Sequence, residues 1–336
     1  MGFDIMNIEY YPSEEFHERR RLGVGGSDVA AIVGVSRWRT PLEVYMDKKG
    51  LAEPIEENEA MKMGKMHEPT IIELYNEKND YWIDDSSPVG EKAIVKKGEH
   101  YYFHPDGFIY DNDKIIGGFE AKTSRVMKDW GFEPHEIPQE YILQCQWGMF
   151  VCDLPFFDLA VLLQGVEYRQ YRIERDDTVI NTLKTAVDAF WRNNVLDSIP
   201  PPPTGAKSDS QLLNALYEQT DKQVQADEIA LAFIDKLETT RIAIKHLEDE
   251  KREAENFLKV AIGEAIELIN PSHKITWKKP KDTIKVDWKT IAEKAIRLMT
   301  ASDSVYKEKL MEYINAHSTV KENARRFNFT PIKKDE

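Results

Sequence analysis

The chain has 336 residues, 41% hydrophobic and 31% charged, with a formal net charge of −14 at pH 7. That length can bury a sizeable core and predicts one large domain with extensions, or two domains, folded over most of the chain. The acidic balance excludes a surface that coats nucleic acid generally, because such binding relies on clustered Lys and Arg, but it leaves room for a local basic channel.

The first residues, "MGFDIMNIEYYPSEEF", lack the basic, then apolar, then small-residue order of a signal peptide, and no apolar run of membrane-spanning length follows anywhere. A cytoplasmic protein without membrane association is expected. The Gly-rich "RLGVGGSD" comes next, and Ser27 is the expected N-cap of a short helix ended by Gly34. With Arg21 nearby, the same turn offers a phosphate site from backbone N–H groups of Gly25 and Gly26 and the Ser27 hydroxyl. It is neither a Walker loop nor a dinucleotide fingerprint. Thr40 to Glu43, "TPLE", is a capping box with Pro41 at the first helical position of a second helix.

A third helix is expected over 59–79, with an interruption at Pro69. Glu68 lies three, four and seven residues before Ile71, Ile72 and Tyr75, so it shares their apolar stripe. An inward Glu there calls for a cation; the alternative is a carboxylate favouring a helix N-terminus.

From about residue 89 the pattern becomes β-rich. In "HPDGFIYDNDKIIGGFEAKTS" a tight turn at "DNDK" makes two antiparallel strands and sets position 106 opposite 119, so that Asp106 sits beside Glu120. Glu120 and Lys122 share one face of the strand while Ala121 points to the other. Two carboxylates and a backbone carbonyl are hard oxygen ligands suited to Mg²⁺ or Mn²⁺, and a neighbouring Lys fits the need to orient a nucleophile or offset developing charge. An exposed charged hairpin is the competing reading.

The apolar helix "PQEYILQCQWGMFVC" carries the two cysteines, Cys145 and Cys152, which are too few for a metal cluster and read as reduced core residues. Its Gln146 falls on the face of Leu143, Met149 and Phe150, either as a core hydrogen-bonding amide or as a contact to a site. Further strands precede a helix over 176–194. Four prolines in "IPPPPTGAKSDS" mark a boundary. Beyond them Ala230, Leu237, Ile244, Leu258 and Ala265 recur every seven residues, broken by Lys251 and interleaved with Phe233, Leu247, Ala254, Ala261 and Leu268. A long amphipathic helix is expected, packing on the core, on another subunit or on a partner. Residues 271–290 hold a local Lys surplus with interleaved Trp277 and Trp288, a strand-tracking patch or a Lys-protected edge hairpin.

Taken together, "RLGVGGSDVAAIVGVSRWRTPLEVY", "GKMHEP", "HPDGFI" with "FEAKTS", and "IPQEYILQCQW" resemble in order and spacing the YqaJ-like viral recombinase family, phage and mobile-element nucleases of the PD-(D/E)xK superfamily related to lambda exonuclease. The resemblance covers roughly residues 16–200. It implies an α/β fold with a mixed sheet: a nuclease core over 1–199, a Pro-rich linker over 200–225, the long helix over 226–270 and a small basic hairpin and helical region over 271–336. It also implies a Mg²⁺-dependent 5'-to-3' exonuclease on linear double-stranded DNA ends, with Mn²⁺ as a substitute. Such an enzyme leaves 3' single strands for a single-strand annealing protein and works as a ring-shaped homotrimer in a bacterial host cell.

Carried over by motif, Asp106, Glu120 and the Ala121 carbonyl would hold metal, Lys122 would assist the attacking water, and Glu68 would hold a second metal or its waters. Gln146, with Gln144 as the weaker candidate, would orient the site, and Arg21 and Ser27 would grip a 5' phosphate. Arg20 also precedes the Gly-rich turn, and His104 stands where some relatives carry a phosphate-holding Ser. The competing readings are a non-catalytic or weakly catalytic DNA-end adaptor that recruits the annealing protein, and a RecB-like or Cas4-like nuclease module or an endonuclease of the same fold; the lack of four cluster cysteines argues against cluster-bearing relatives.

Overall fold

In the computed structural model the described residues are 8–52, 57–84, 91–217, 221–281 and 283–299, with 309, 312–313, 315–321 and 326–331. They form two compact units, Met1–Thr220 and Asp221–Glu336, of mixed α/β architecture. Among them no helix is long and apolar enough to cross a membrane.

The first unit opens with a strand and helix that hydrophobic patterning does not announce, β1 (Ile8–Pro12) and α1 (Ser13–Arg21). Only Phe16 of α1 is buried, so the helix has almost no apolar stripe to read. Helix α2 (Gly26–Ile32) starts two residues earlier than expected: Gly25 is its N-cap, and the Asp28 carboxylate accepts the Gly25 N–H at 3.0 Å. Ser27 is therefore not the cap, and the Gly25 N–H is already used. Helix α3 (Pro41–Lys48) starts as its sequence predicts, with Thr40 and Glu43 capping each other reciprocally at 3.2 and 2.6 Å. Helix α4 (Glu59–Lys78) runs unbroken through Pro69. Pro69 and Lys65, four residues earlier, are both exposed, so the carbonyl that Pro leaves unbonded faces water.

The main sheet collects β2 (Trp82–Asp84), β5 (Gly107–Asp111), β6 (Lys114–Ser124), β7 (Phe156–Leu163) and β8 (Glu167–Glu174) in the order β2-β5-β6-β7-β8. All pairs are antiparallel except β6 with β7, which run parallel. Parallel neighbours need a crossover, and α5 (Gln139–Cys152) supplies it. A smaller sheet joins β1, β3 (Glu91–Lys97) and β4 (Tyr101–Phe103). Trp147 on α5 ties its edge inward by donating to the carbonyls of Val24 and Tyr102 at 3.2 and 3.0 Å. Cys145 and Cys152 are buried free thiols on the same helix.

Side chains of β6 divide between two cores. Phe119 packs with Ile71, Ile72 and Tyr75 of α4, whereas Glu120 and Lys122 turn toward α5. The β5–β6 hairpin turns at Asn112, whose φ is +53°, and pairs Asp111 with Lys114. A bulge between Ile109 and Tyr110 then shifts the register by one, so Gly107 faces Phe119. Position 106 thereby comes opposite 120 rather than 119, because the bulge inserts one extra residue.

Helix α6 (Asp177–Phe190), capped by Asp176, continues as one wider turn to Leu196. The stretch expected as a linker over 200–225 contains a helix, α7 (Lys207–Leu216). Leu212, Leu213 and Leu216 pack against the cluster of Leu42, Tyr45 and Met46, and the buried Asp209 accepts from Thr40 and Thr204. In the second unit α8 (Glu228–Ile262) stops short of 270: Gly263, with φ +54°, caps it and Leu268 enters β9 (Glu267–Ile269). The first part of the Lys-rich stretch forms β10 (His273–Lys278), the centre and not the edge of the sheet β13 (Arg326–Pro331)-β10-β9. Lys274 is bridged to Glu267 at 3.0 Å. A two-stranded ribbon of β11 (Thr283–Val286) and β12 (Ser318–Lys321) and a helix α9 (Trp288–Met299) complete this unit; both ends of the basic "ARRFNFTPIKK" lie outside the described residues.

Gly148 sits where α5 crosses beneath two buried rings. A Cβ there would lie 2.6 Å from Phe103 and 2.7 Å from Phe157. Ala is the better helix former by about 1 kcal/mol, yet Gly148→Ala is expected to lower stability by about 1–3 kcal/mol through overpacking, read from urea unfolding.

Candidate active site

The bulge and the crossover together bring Asp106, Glu120, Lys122 and Gln144 into one cleft of about 200 Å³, whose other walls are Phe16, Arg20, Gly25, Gly26, Ser27 and His104 among others. Asp106 accepts the Ala121 N–H at 2.9 Å, which pins the hairpin end onto β6. Glu120 is 1% exposed. Its Oε1 accepts from Lys122 and from Gln144 Nε2, each at 2.5 Å. Its Oε2 is buried with no hydrogen-bond partner. A buried carboxylate oxygen without a donor is costly, and burial, followed by the charge of Asp106, pushes the Glu120 pKa up to about 8. Burial alone would lower Lys122, but Glu120 and Asp106 outweigh it and hold its pKa above the ordinary lysine range. The ammonium also lies 5.2 Å from the ring centre of Tyr141.

The open Oε2, the Asp106 carboxylate and the Ala121 carbonyl are the donor set a hard divalent cation takes. Among the described residues no group of three or more His, Cys, Asp or Glu side chains gathers around one point, so such an ion would complete its shell with water or substrate oxygens.

Three expected site residues lie elsewhere. Gln146 is buried but faces away: its Nε2 donates to the Glu174 carbonyl at 2.7 Å and its Oε1 accepts the Asp176 N–H at 2.9 Å. It is a core amide that fixes the β8–α6 junction, and Gln144, two residues earlier and so on another side of α5, is the amide on Glu120. Arg21 bonds Asp47 at 3.3 Å; Arg20 donates to Ser27 Oγ at 2.8 Å and lines the cleft. Successive residues of α1 point about 100° apart, so only one of the pair can face the turn. Glu68 is half-buried on α4, the helix whose Ile71, Ile72 and Tyr75 pack on Phe119, and it is not among the residues that wall the cleft.

Sequence reading also missed what holds the Gly-rich turn. Asp28 is fully buried and meets Lys48 at 2.7 Å, Arg39 at 2.8 Å and Arg20 at 4.0 Å. Burial raises a carboxyl pKa, but Lys48, Arg39 and Arg20 outweigh it and keep Asp28 ionised far below the usual range. Gly26 is required by close approach, since a Cβ would stand 2.6 Å from Phe103. His104 places Nδ1 on the Ala93 carbonyl at 2.6 Å, so that nitrogen carries the proton, and burial keeps the ring neutral. Its Nε2 is then an acceptor, unable to donate to a phosphate as Ser would. Next to the site, and sharing Tyr141 with Lys122, a wider cleft of about 670 Å³ is lined by Arg37, Trp38, His67, Arg125 and Trp130; Trp38 is 71% exposed.

Residues 15–155 match the family described as the YqaJ-like viral recombinase domain. The uncharacterized protein YqaJ of Bacillus subtilis (strain 168) is 27% identical over 293 residues, 83% of this chain and 87% of that protein. Among solved structures, the alkaline exonuclease LHK-Exo of Laribacter hongkongensis is 21% identical, with 61% of this chain and 98% of that one covered at a TM-score of 0.45. A phage-related exonuclease from Haemophilus somnus 129PT is 15% identical, with 55% and 100% covered at a TM-score of 0.39.

Three substitutions separate these roles. Asp28→Ala leaves Lys48 buried without its carboxylate and is expected to cost about 3–5 kcal/mol in chemical denaturation. Gln146→Leu removes two buried hydrogen bonds and should lower stability by about 1–3 kcal/mol, while Gln144→Leu should leave the melting temperature within a few degrees and instead depress turnover.

Proposed function

From a chain whose residues 15–155 belong to the YqaJ-like viral recombinase family, we propose a metal-dependent deoxyribonuclease that digests linear double-stranded DNA from its 5' ends. The 3' single strands it leaves would pass to a single-strand annealing protein. The observation that carries this reading is the Asp106–Glu120–Lys122 edge with the unpartnered Glu120 Oε2. Asp106, Glu120 and the Ala121 carbonyl are the residues to hold Mg²⁺, with Mn²⁺ as substitute. That ion, when bound, supplies Lewis-acid charge on the scissile phosphate and acidifies water.

The protein side chains have separate tasks. Gln144 and Lys122 both bond Oε1 and so hold the Glu120 carboxylate with Oε2 free. The Lys122 ammonium, kept charged by the two carboxylates, sits where it offsets negative charge developing on a phosphate. At the far wall of the same cleft Arg20 and Ser27 offer a guanidinium and a hydroxyl to a terminal phosphate. Binding a 5' phosphate there would set the adjoining nucleotide against the carboxylates, which is a physical basis for end selection. The wider cleft past Tyr141 supplies aromatic faces in Trp38 and Tyr141 and the exposed cation Arg125 for a strand entering the site.

The test is digestion of linear duplexes labelled separately at each end, with Mg²⁺ or with chelator. Release from 5'-phosphorylated ends only with metal supports the reading; duplex binding without hydrolysis under any divalent ion would replace it with a DNA-end adaptor. Lys122→Ala should keep duplex affinity within threefold while losing at least 10²-fold in rate. Arg20→Ala should erase the preference for 5'-phosphorylated over 5'-hydroxyl ends, and Arg21→Ala should retain it.

A further inference from the structure

Helix α8 spans 35 residues, and among the described residues its one buried side chain is Ile262, at the C-terminal end, with Leu258 half-buried beside it. Along the rest, Phe233, Leu237, Ile244 and Leu247 are 64%, 52%, 50% and 62% exposed. Monomeric proteins rarely leave such a stripe bare. Its period is seven residues, the period of a left-handed coiled coil. One set of seam positions is Ala230, Leu237, Ile244, Lys251 and Leu258; the other is Phe233, Thr240, Leu247, Ala254 and Ala261.

The seam contains two polar residues, Lys251 and Thr240, and their positions select a partner. In a parallel, in-register pair of identical helices Lys251 would face Lys251 of the other copy. The flanking positions would set Lys236 beside Arg241 and Glu250 beside Glu255, like charges in both cases. If two copies run antiparallel about a centre between residues 245 and 246, each problem is removed. Lys251 then meets Thr240, Leu258 meets Phe233, Ile244 meets Leu247, Leu237 meets Ala254, and Ala230 meets Ala261. Large residues oppose small or medium ones, and polar opposes polar. On the flanks Arg241 of each copy meets Glu248 of the other, and Lys236 lies along Phe257, where its aliphatic stem can cover the ring. The pairing is isologous, as a two-fold interface requires.

We propose that α8 is a self-association arm: the occupant of its apolar face is α8 of a second copy of this chain, held antiparallel. Two nuclease units are thereby joined through their C-terminal units, whatever assembly each makes through its own surface. The inference is independent of the chemistry at Glu120.

Sedimentation velocity on the full chain tests the pairing. Wild type should have at least twice the mass of Ile244→Asp/Leu247→Asp at the same concentration. Both replaced side chains are exposed in the single chain, so far-ultraviolet circular dichroism and DNA digestion should be unchanged. Equal masses would overturn the proposal and leave the face to a different protein. Orientation is read by disulfide trapping with two differently tagged variants, Leu237→Cys and Ala254→Cys; the native Cys145 and Cys152 are buried and do not compete. Antiparallel pairing gives a cross-linked product only when the two variants are mixed. A cross-link formed by Leu237→Cys alone would overturn the antiparallel arrangement.

Discussion

One buried carboxylate organises the first unit. Glu120 lies inside the sheet with one oxygen taken by Lys122 and Gln144 and the other facing no donor. A protein that only needed stability would fill position 120 with an apolar residue, since its neighbour on β7 is Leu159 and Phe157 and Leu159 are fully buried around it. The site is therefore a place where local packing rules are broken at a cost, which the cation of the proposed function would offset. The parallel β6–β7 pair forces a crossover, the crossover is α5, and α5 delivers Gln144 and Tyr141 to the face that Glu120 and Lys122 occupy. The bulge in the β5–β6 pairing does the same for Asp106. Each irregularity in an otherwise regular sheet serves one cluster.

The second charged focus, Asp28, is the counterpart of the first. Glu120 has too few partners and Asp28 has an excess of them: Lys48, Arg39 and Arg20 surround it, and it also accepts the Gly25 N–H. Asp47 also meets Arg39 at 3.5 Å and Lys48 at 3.9 Å, so three cations face two carboxylates and a surplus of positive charge remains at the turn. Arg20 is the member that reaches out, bonded to Ser27 and 31% exposed, so it can exchange that hydroxyl for a phosphate oxygen without uncovering Asp28, which keeps Lys48 and Arg39. A fixed anion thus presents a mobile cation, and the cleft between the two foci has one acidic and one basic wall.

Legibility in the sequence followed the reach of each signal. Local signals succeeded: the "TPLE" capping box, the "DNDK" turn, the face shared by Glu120 and Lys122, and the apolar helix with its buried thiols all depend on neighbours within a few residues. Two local signals misled, the Ser27 cap, displaced by Gly25 with Asp28, and Pro69, which α4 runs through; the other failures depended on distant partners. The bulge moved Asp106 by one register step, and no residue of the hairpin marks it plainly. Gln144 and Gln146 differ in role only because Glu174 and Asp176 fold back onto one and Glu120 onto the other. Arg20 and Arg21 differ only in rotation about α1, a helix whose near-absence of apolar residues hid it altogether. Glu68 does share the apolar stripe of α4, but the stripe covers the opposite face of the sheet, a choice made by topology. Asp28 reads in sequence as an ordinary acidic residue in a first helical turn, and only its burial beside Lys48 reveals it.

The net charge of −14 bears on how such a molecule meets an anionic polymer. At physiological salt the screening length is about 8 Å, so carboxylates spread over the rest of the surface act weakly on a strand already in the cleft, while Arg20 and Lys122 act at contact distance. Inside the cleft low-dielectric walls strengthen their attraction. Outside it the acidic surface disfavours lengthwise, non-specific association, which is the binding mode that scales with the number of phosphates neutralised. On the proposed function, acidity and DNA chemistry are compatible: a duplex end would bring its phosphate to Arg20 and Lys122, while the net negative charge would give the body of the duplex little attraction.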